Sequence, residues 1–179
     1  SAVPDNDWQY LALSAGKPVG GDWEVRSGRD SWFGDLQTMF GIRSQDCTGD
    51  VEDFRRRVHR EDRGLVWKAV QAAMQSKQLY VGQFRIVKPD GTIRWVAAQG
   101  KFYYSSNGEP ERMLGIAVDI TERKGAEEAL HQKEIELREA QRLAGVGSWQ
   151  WDSEHDVAVW SDELYRIYGR DPKLPPLRD

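Results

Sequence analysis

"YVGQFRIVKPDGTIRWVAAQGKFYYSSNGEPERMLGIAVDI", residues 80–120, decides the fold. It holds three extended runs and two turns. "YVGQFRIVK" stops at Pro89-Asp90-Gly91, "TIRWVAAQGKFYY" stops at Asn107-Gly108, and "ERMLGIAVDI" completes the series. Asp-Gly and Asn-Gly signal hairpins because both centre residues of such a turn accept positive φ. Alternation assigns the faces. In the middle run Val96, Ala98, Gly100 and Phe102 share a face that is apolar but small. Ile93, Trp95, Ala97, Gln99, Lys101 and Tyr103 share the other. Small residues facing a helical layer predict room for a cavity. The last run is apolar on both faces, with Leu114, Ile116 and Val118 on one and Met113, Gly115 and Ala117 on the other. That pattern marks a central strand.

Upstream, residues 19–26 read as a strand, and 30–33 as a shorter strand or the start of the next helix. Helices are predicted over 34–40, 51–59 and 61–77, separated by a polar loop at 43–50. Leu36, Met39 and Phe40 share one face of the first helix, and Val51, Phe54 and Val58 turn inward from the second. Val66, Val70, Ala73 and Met74 form the buried stripe of the third. Residues 5–16, with Trp8, Leu11 and Leu13 apolar and Gly16 as a stop, predict a short N-terminal helix. The expected architecture is α+β: a five-stranded antiparallel sheet with helices on one face. The N-terminal helix is available to cover the other.

Downstream, the last extended run enters "TERKGAEEALHQKEIELREAQRLA" (121–144) with no loop between. This stretch predicts a helix about 36 Å long at 1.5 Å per residue. Ala126, Leu130, Leu137, Ala140 and Ala144 fall near a heptad seam that Lys133 interrupts, as in a two-chain coil; a plain surface helix is the other reading. Gly125 weakens its first turns by about 1 kcal/mol and is a candidate hinge. The junction itself is Asp119, Ile120 and Thr121. Thr121 is expected to N-cap the helix, Glu122 to favour its dipole, and Asp119 to clamp the strand end beside Arg and Lys residues. Capping alone explains these residues. Coupling between sheet and helix explains in addition why no loop intervenes.

"GDWEVRSGRDSWFGDLQTMFG" (21–41) returns as "GSWQWDSEHDVAVWSDELYRIYG" (147–169). Gly21 and Trp23 match Gly147 and Trp149; Trp32, Leu36, Phe40 and Gly41 match Trp160, Leu164, Tyr168 and Gly169. The offset changes by two, and the slip is expected in the turn. The second copy contains only the opening hairpin and first helix, so its aromatic residues lack a partner layer. A buried Trp hides roughly 200 Å², worth up to about 5 kcal/mol.

Composition bounds the function. The chain has 179 residues, 39% hydrophobic and 30% charged, with net charge −4. An acidic balance argues against nucleic-acid binding, which needs a basic face to release phosphate counterions. No apolar run is long enough to span a membrane, and no signal pattern opens the sequence. The single cysteine, Cys47, excludes an internal disulfide and fits a reducing compartment. No phosphate-cradling glycine loop, nucleophile triad or metal spacing is present, so no catalysis is expected and no metal site.

Four stretches resemble the PAS domain family with its C-terminal PAC portion. "HRED" (59–62) with Arg63 is similar to the start of the family's long helix, with Arg60 where Pro is usual. "FRIVKPDGTIRWV" (84–96) and "NGEPERMLG" (107–115) resemble its hairpin strands. "DITERKGAEEAL" (119–130) resembles its closing motif. The resemblance implies a PAS fold and a domain plan: N-terminal helix 1–18, PAS/PAC domain 19–121, linker signalling helix 122–145, and the truncated start of a second PAS domain at 146–179. It implies a sensory module of a cytoplasmic bacterial signalling protein, such as a sensor histidine kinase or diguanylate cyclase. A small-molecule ligand, homodimerisation and a downstream effector domain in the same parent chain are the implied partners.

The family's flavin-adduct sensors need a cysteine context that "SQDCTGD" around Cys47 lacks, and its haem sensors imply a His within the long helix, where this sequence has none. Flavin adduct and haem are therefore disfavoured, and the ligand is not specified. His59 is read as a cap or as a partner of Glu61 or Asp62. The candidate cavity comprises Trp32, Leu36, Met39, Phe40, Phe54, Val58, Val66, Trp67, Val70, Phe84, Ile86 and Val96. Gln83, Arg85 and Gln99 are possible polar anchors, although alternation points them outward. These apolar residues serve equally as a filled core, in which case the module dimerises and relays signals without binding a ligand.

Overall fold

The computed structural model describes residues 18–176. The N-terminal helix expected over 5–16 lies outside the described residues. The chain divides into two compact units, one through Lys124 and one from Gly125 onward.

The first unit opens with the hairpin β1 (Val19–Glu24) and β2 (Asp30–Gly34). Helix α1 (Leu36–Phe40) is shorter than its apolar pattern because Asp35 caps it, accepting the Thr38 N–H at 3.0 Å, and Gly41 ends it at φ 70°. A 3-10 turn (Ser44–Asp46) interrupts the expected loop. Helix α2 (Val51–Arg57) starts at Asp50, whose carboxylate accepts the Glu52 N–H. Helix α3 (Arg63–Ser76) follows, then β3 (Tyr80–Val87), β4 (Ile93–Tyr104) and β5 (Pro110–Asp119). The sheet is five-stranded and wholly antiparallel, in the order β2-β1-β5-β4-β3, so β5 is central, as its two apolar faces require.

Both hairpin turns form where expected, but by another geometry. Only Gly91 (φ 85°) and Gly108 (φ 83°) are left-handed; Asp90 and Asn107 are not. Lys88 accepts from the Gly91 N–H and donates to the Thr92 carbonyl, each at 2.9 Å, and Ser105 does the same with Gly108 and Glu109. Each loop is thus a tight turn closed by one left-handed glycine, and in the first Pro89 supplies a suitable φ.

The main core lies between the sheet's inner face and α1–α3 and includes Leu36, Met39, Val58, Phe84, Ile86 and Val96. A smaller cluster of Ala97, Val118 and Ile120, with Val81 and Trp95 beside it, lies on the opposite face. The helical layer is fastened at the "HRED" motif. His59 donates its backbone N–H to the Arg85 carbonyl, and its Nδ1 accepts the Glu61 N–H. Asp62 Oδ1 and Oδ2 receive the Arg85 guanidinium at 2.6 and 3.1 Å, and Oδ2 also takes the Arg85 backbone N–H at 2.8 Å. Asp62 therefore makes no side-chain cap on α3, because its carboxylate is engaged across to β3.

Helix α4 (Thr121–Ala144) runs across the boundary between the units and stops at Gly145, φ 63°. The second unit then forms the hairpin β6 (Trp149–Asp152) and β7 (Val157–Trp160) and the short helix α5 (Asp162–Ile167), capped by Ser161. Its register corrects the expected slip. Gly21 pairs with Trp32 and Trp23 with Asp30; Trp149 pairs with Trp160 and Trp151 with Ala158. One constant offset relates the hairpins, so Trp149 answers to Gly21 and Trp151 to Trp23. The Gly-Trp match sits two positions along the strand, which preserves the face and hides the shift.

Candidate functional site

Pairing across the sheet places one lateral row on the inner face: Trp32, Gly21, Gly115, Gly100 and Tyr80. Three adjacent glycines between two aromatic residues make a trough. The neighbouring rows are Val19, Ala117 and Ala98 on one side, and Trp23, Met113 and Phe102 on the other. Met113 folds over Gly100, and the Tyr80 hydroxyl lies over Gly82, so the β3–β4 half is filled. Over Gly21 and Gly115 no apolar side chain stands, and an apolar cavity of about 120 Å³ remains there. Trp32, Phe40, Phe54, Val58, Val66, Trp67 and Val70 surround it. Leu36, Met39, Phe84, Ile86 and Val96 do not line it; they are packed in the core around it. The middle strand contributes less of the opening than its small residues imply, because Met113 covers Gly100.

The aromatic wall is continuous. Trp32 packs on Phe40 (4.9 Å between centroids) and edge-on to Phe54 (6.0 Å), and Trp23 lies 5.7 Å from Trp67. Arg55 stacks on Trp67, with its guanidinium carbon 4.4 Å from the ring centroid, and pairs with Glu52. Of the expected anchors, Gln99 borders the cavity, Arg85 is held by Asp62 and Glu61, and Gln83 is not among its walls. Sequence reasoning passed over Asp30. It is 8% exposed, lines the cavity, and accepts the Trp32 indole N–H at 2.5 Å. Burial pushes its carboxyl above the usual carboxylate range, and Asp22, Asp50 and Asp53 push the same way, against the Trp32 hydrogen bond. Its signal in the sequence was alternation: Asp30 and Trp32 share a face. Burial also pushes the Tyr80 phenol up to about 12 and raises the Cys47 thiol. A thiol so shifted is a poor nucleophile.

The strand-to-helix junction differs from a simple cap. The Thr121 hydroxyl does not accept from a free N–H of its own helix. It accepts the Trp95 backbone N–H of β4 at 2.9 Å and donates to Asp119 Oδ1. Asp119 Oδ1 also accepts the Thr121 N–H at 2.8 Å, and Asp119 Oδ2 faces Arg94 at 3.6 Å. The Ile120 N–H donates to the Trp95 carbonyl at 2.8 Å, and Ile120 is 3% exposed. Lys124 and Arg85 both stand over the Trp95 ring, at 5.4 and 5.8 Å. Trp95 is thereby bound through its N–H, its carbonyl and its indole face, and the first turn of α4 is stitched to β4. Ala117, two residues before Asp119, lines the cavity.

Among the described residues, no helix is long and apolar enough to cross a membrane, and no cluster of three His, Cys, Asp or Glu could hold a metal.

Comparison with known proteins places this architecture. The PAS fold family matches residues 29–117, and this segment is a PAS domain. The chain is 32% identical over 127 residues to the probable diguanylate cyclase DgcE of Escherichia coli K12, covering 71% of this chain and 11% of that protein. It is 23% identical over 148 residues to the sensor protein FixL of Bradyrhizobium diazoefficiens, covering 83% of this chain and 29% of that one. The chain thus spans less than a third of these curated relatives. Among solved structures, a sensory box histidine kinase/response regulator from Burkholderia thailandensis superposes with a TM-score of 0.61 at 26% identity, covering 74% of this chain and 98% of that one. The N-terminal domain of a diguanylate cyclase with PAS/PAC sensor from Marinobacter aquaeolei superposes at 0.55 with 18% identity, which bears on the fold alone. Residues 29–117 are thus a PAS domain similar to those of bacterial signalling proteins.

Proposed function

We propose that the PAS domain is a sensory input whose cavity takes a small ligand and whose β5 passes occupancy to α4. The observation that carries this reading is the course of β5. Its Gly115 and Ala117 form the cavity floor, and two residues later it becomes the Asp119–Thr121 junction, pinned to Trp95. A ligand that spreads the floor displaces the same strand that holds the helix, and no slack chain absorbs the displacement. A cavity of about 120 Å³ is of single-ring size, since one of roughly 150 Å³ admits benzene. A flavin or haem would require the helices to move apart.

A second reading is a dimerisation module that relays signals without a ligand. It draws on the seam of α4, where Leu130 and Leu137 are exposed and no residue is buried. The two readings are compatible if the helix pairs with a second copy. Under either, the domain plan is PAS/PAC 19–121, linker 122–145 and a second PAS start from 146, with an effector elsewhere in a longer protein.

Insertion of one residue after Thr121 tests the coupling, because it rotates the helix by about 100° against the sheet. The expected result in the full-length protein is a locked or inverted output. An unchanged, ligand-responsive output refutes direct coupling.

A further inference from the structure

Asp30, a buried carboxyl in the cavity wall, has no counter-ion among the described residues. Asp30 stands over Gly21, its Oδ1 3.7 Å from where a Cβ on that glycine would lie, while Oδ2 is taken by Trp32. The nearby arginines are engaged elsewhere: Arg29 with Glu24, Arg55 with Glu52, Arg57 with Asp53, Arg112 with Asp22, and Arg63, itself a cavity wall, with the Val58 and Arg56 carbonyls. No ion pair reaches Asp30 among the described residues, and the charges that act on it, from Asp22, Asp50 and Asp53, are all negative. A carboxylate so placed costs stability unless a cation joins it. The surroundings suit one. Trp23 and Trp32 flank Gly21, and indole faces attract cations. The second hairpin, which has Ala158 at the position of Asp30 and Trp149 at that of Gly21, offers neither the acid nor the space.

We propose that the cavity takes a small organic ammonium ion of at most one ring, with its N–H donors on Asp30 and its body between Trp23 and Trp32. This deepens the reading of the cavity as a ligand site and rests on it. The size limit follows from the 120 Å³ volume. The preference for a donor follows from Asp30 Oδ1, which accepts no hydrogen bond among the described residues. Recognition is then divided: the aromatic wall supplies most of the contact area, and Asp30 selects charge.

The test uses matched ligands of nearly equal shape on the purified chain, read by thermal shift and calorimetry: benzylamine, benzyl alcohol and benzoate, with isobutylamine and isobutanol as a smaller pair. The expected result is binding of the amines about tenfold or more tighter than of the alcohols, and no binding of benzoate. Asp30→Asn removes the amine preference, so that amines and alcohols bind alike, while near-ultraviolet circular dichroism of the tryptophans verifies its fold. If the alcohols or benzoate bind as tightly as the amines, or if Asp30→Asn leaves the preference intact, the assignment of an ammonium ligand is overturned and the ligand site stands. If none of the five shifts the melting temperature of either protein, the ligand reading falls and this inference with it.

Discussion

The two hairpins, β1–β2 and β6–β7, are built alike and end differently. They share a strand–turn–strand–helix order and a pairing register, and each carries tryptophan on both strands. In the first, Trp23 and Trp32 pack under α1–α3 and against the sheet. In the second, Trp149 and Trp151 remain 64% and 53% exposed, and only Trp160 gathers neighbours, Tyr165 and Tyr168, from its own helix. Local sequence therefore sets the hairpin, and the partner layer sets what its side chains are worth. The exchange of Gly21 for Trp149 adds a second lesson: the glycine leaves a space in the first hairpin that a large ring occupies in the second.

The largest expected effect breaks this comparison directly. Trp32→Ala should destabilise the PAS domain by about 3 kcal/mol, because it removes a ring packed on Phe40 and Phe54. Trp149→Ala should change stability by no more than about 0.5 kcal/mol, as expected of a surface position. Urea denaturation of both variants decides it; equal losses would mean that the second hairpin is covered in solution.

Next in size is Asp62→Asn, which the same urea titration should show losing about 2 kcal/mol, as charge-assisted bonds between α3 and β3 are removed. The Arg85 guanidinium holds the Asp62 carboxyl below its ordinary range. Its contribution is therefore full above about pH 4 and lost as pH falls through the depressed folded value. The difference between wild type and variant should shrink on acidification.

Asp30 carries the opposite sign. Its raised value means that the folded state binds the proton more tightly, so stability falls as pH rises through the interval above the ordinary aspartate value. Asp30→Asn should raise the melting temperature at neutral pH, with the gain vanishing toward about pH 4. A small effect is expected from Gly21→Val in the cavity, which should add about 0.5–1 kcal/mol by relieving a strand glycine and filling the cavity, and should abolish small-ligand binding in a thermal-shift assay.

Much of this fold was legible from short-range signals. The glycines at 91 and 108 mark their turns whichever hairpin geometry forms, and the two apolar faces of 113–118 place β5 at the centre. The helical aromatic wall of the cavity was also legible, since Phe54, Val66, Trp67 and Val70 follow helical spacing. What was missed depends on pairing between distant segments. Gly21 and Gly115 form one floor only because β1 adjoins β5, and neither glycine signals this alone. Asp30 reads as a turn-edge residue until β2 is seen to face the helices. Thr121 reads as a cap because its real partner, the Trp95 N–H, belongs to another strand.

The central claim is that the cavity and the first turn of α4 move as one. Backbone hydrogen exchange of wild type against Gly21→Val tests it most directly, since the valine fills the cavity without touching the junction. The account predicts altered exchange at the Trp95 and Ile120 amides, whose bonds form the stitch, and at the Lys124 amide, which closes the first turn of α4 on the Ile120 carbonyl, with none at the Gln150 and Val159 amides of the second hairpin. Altered exchange confined to β1, β2 and the cavity walls, with those three amides unchanged, would contradict it.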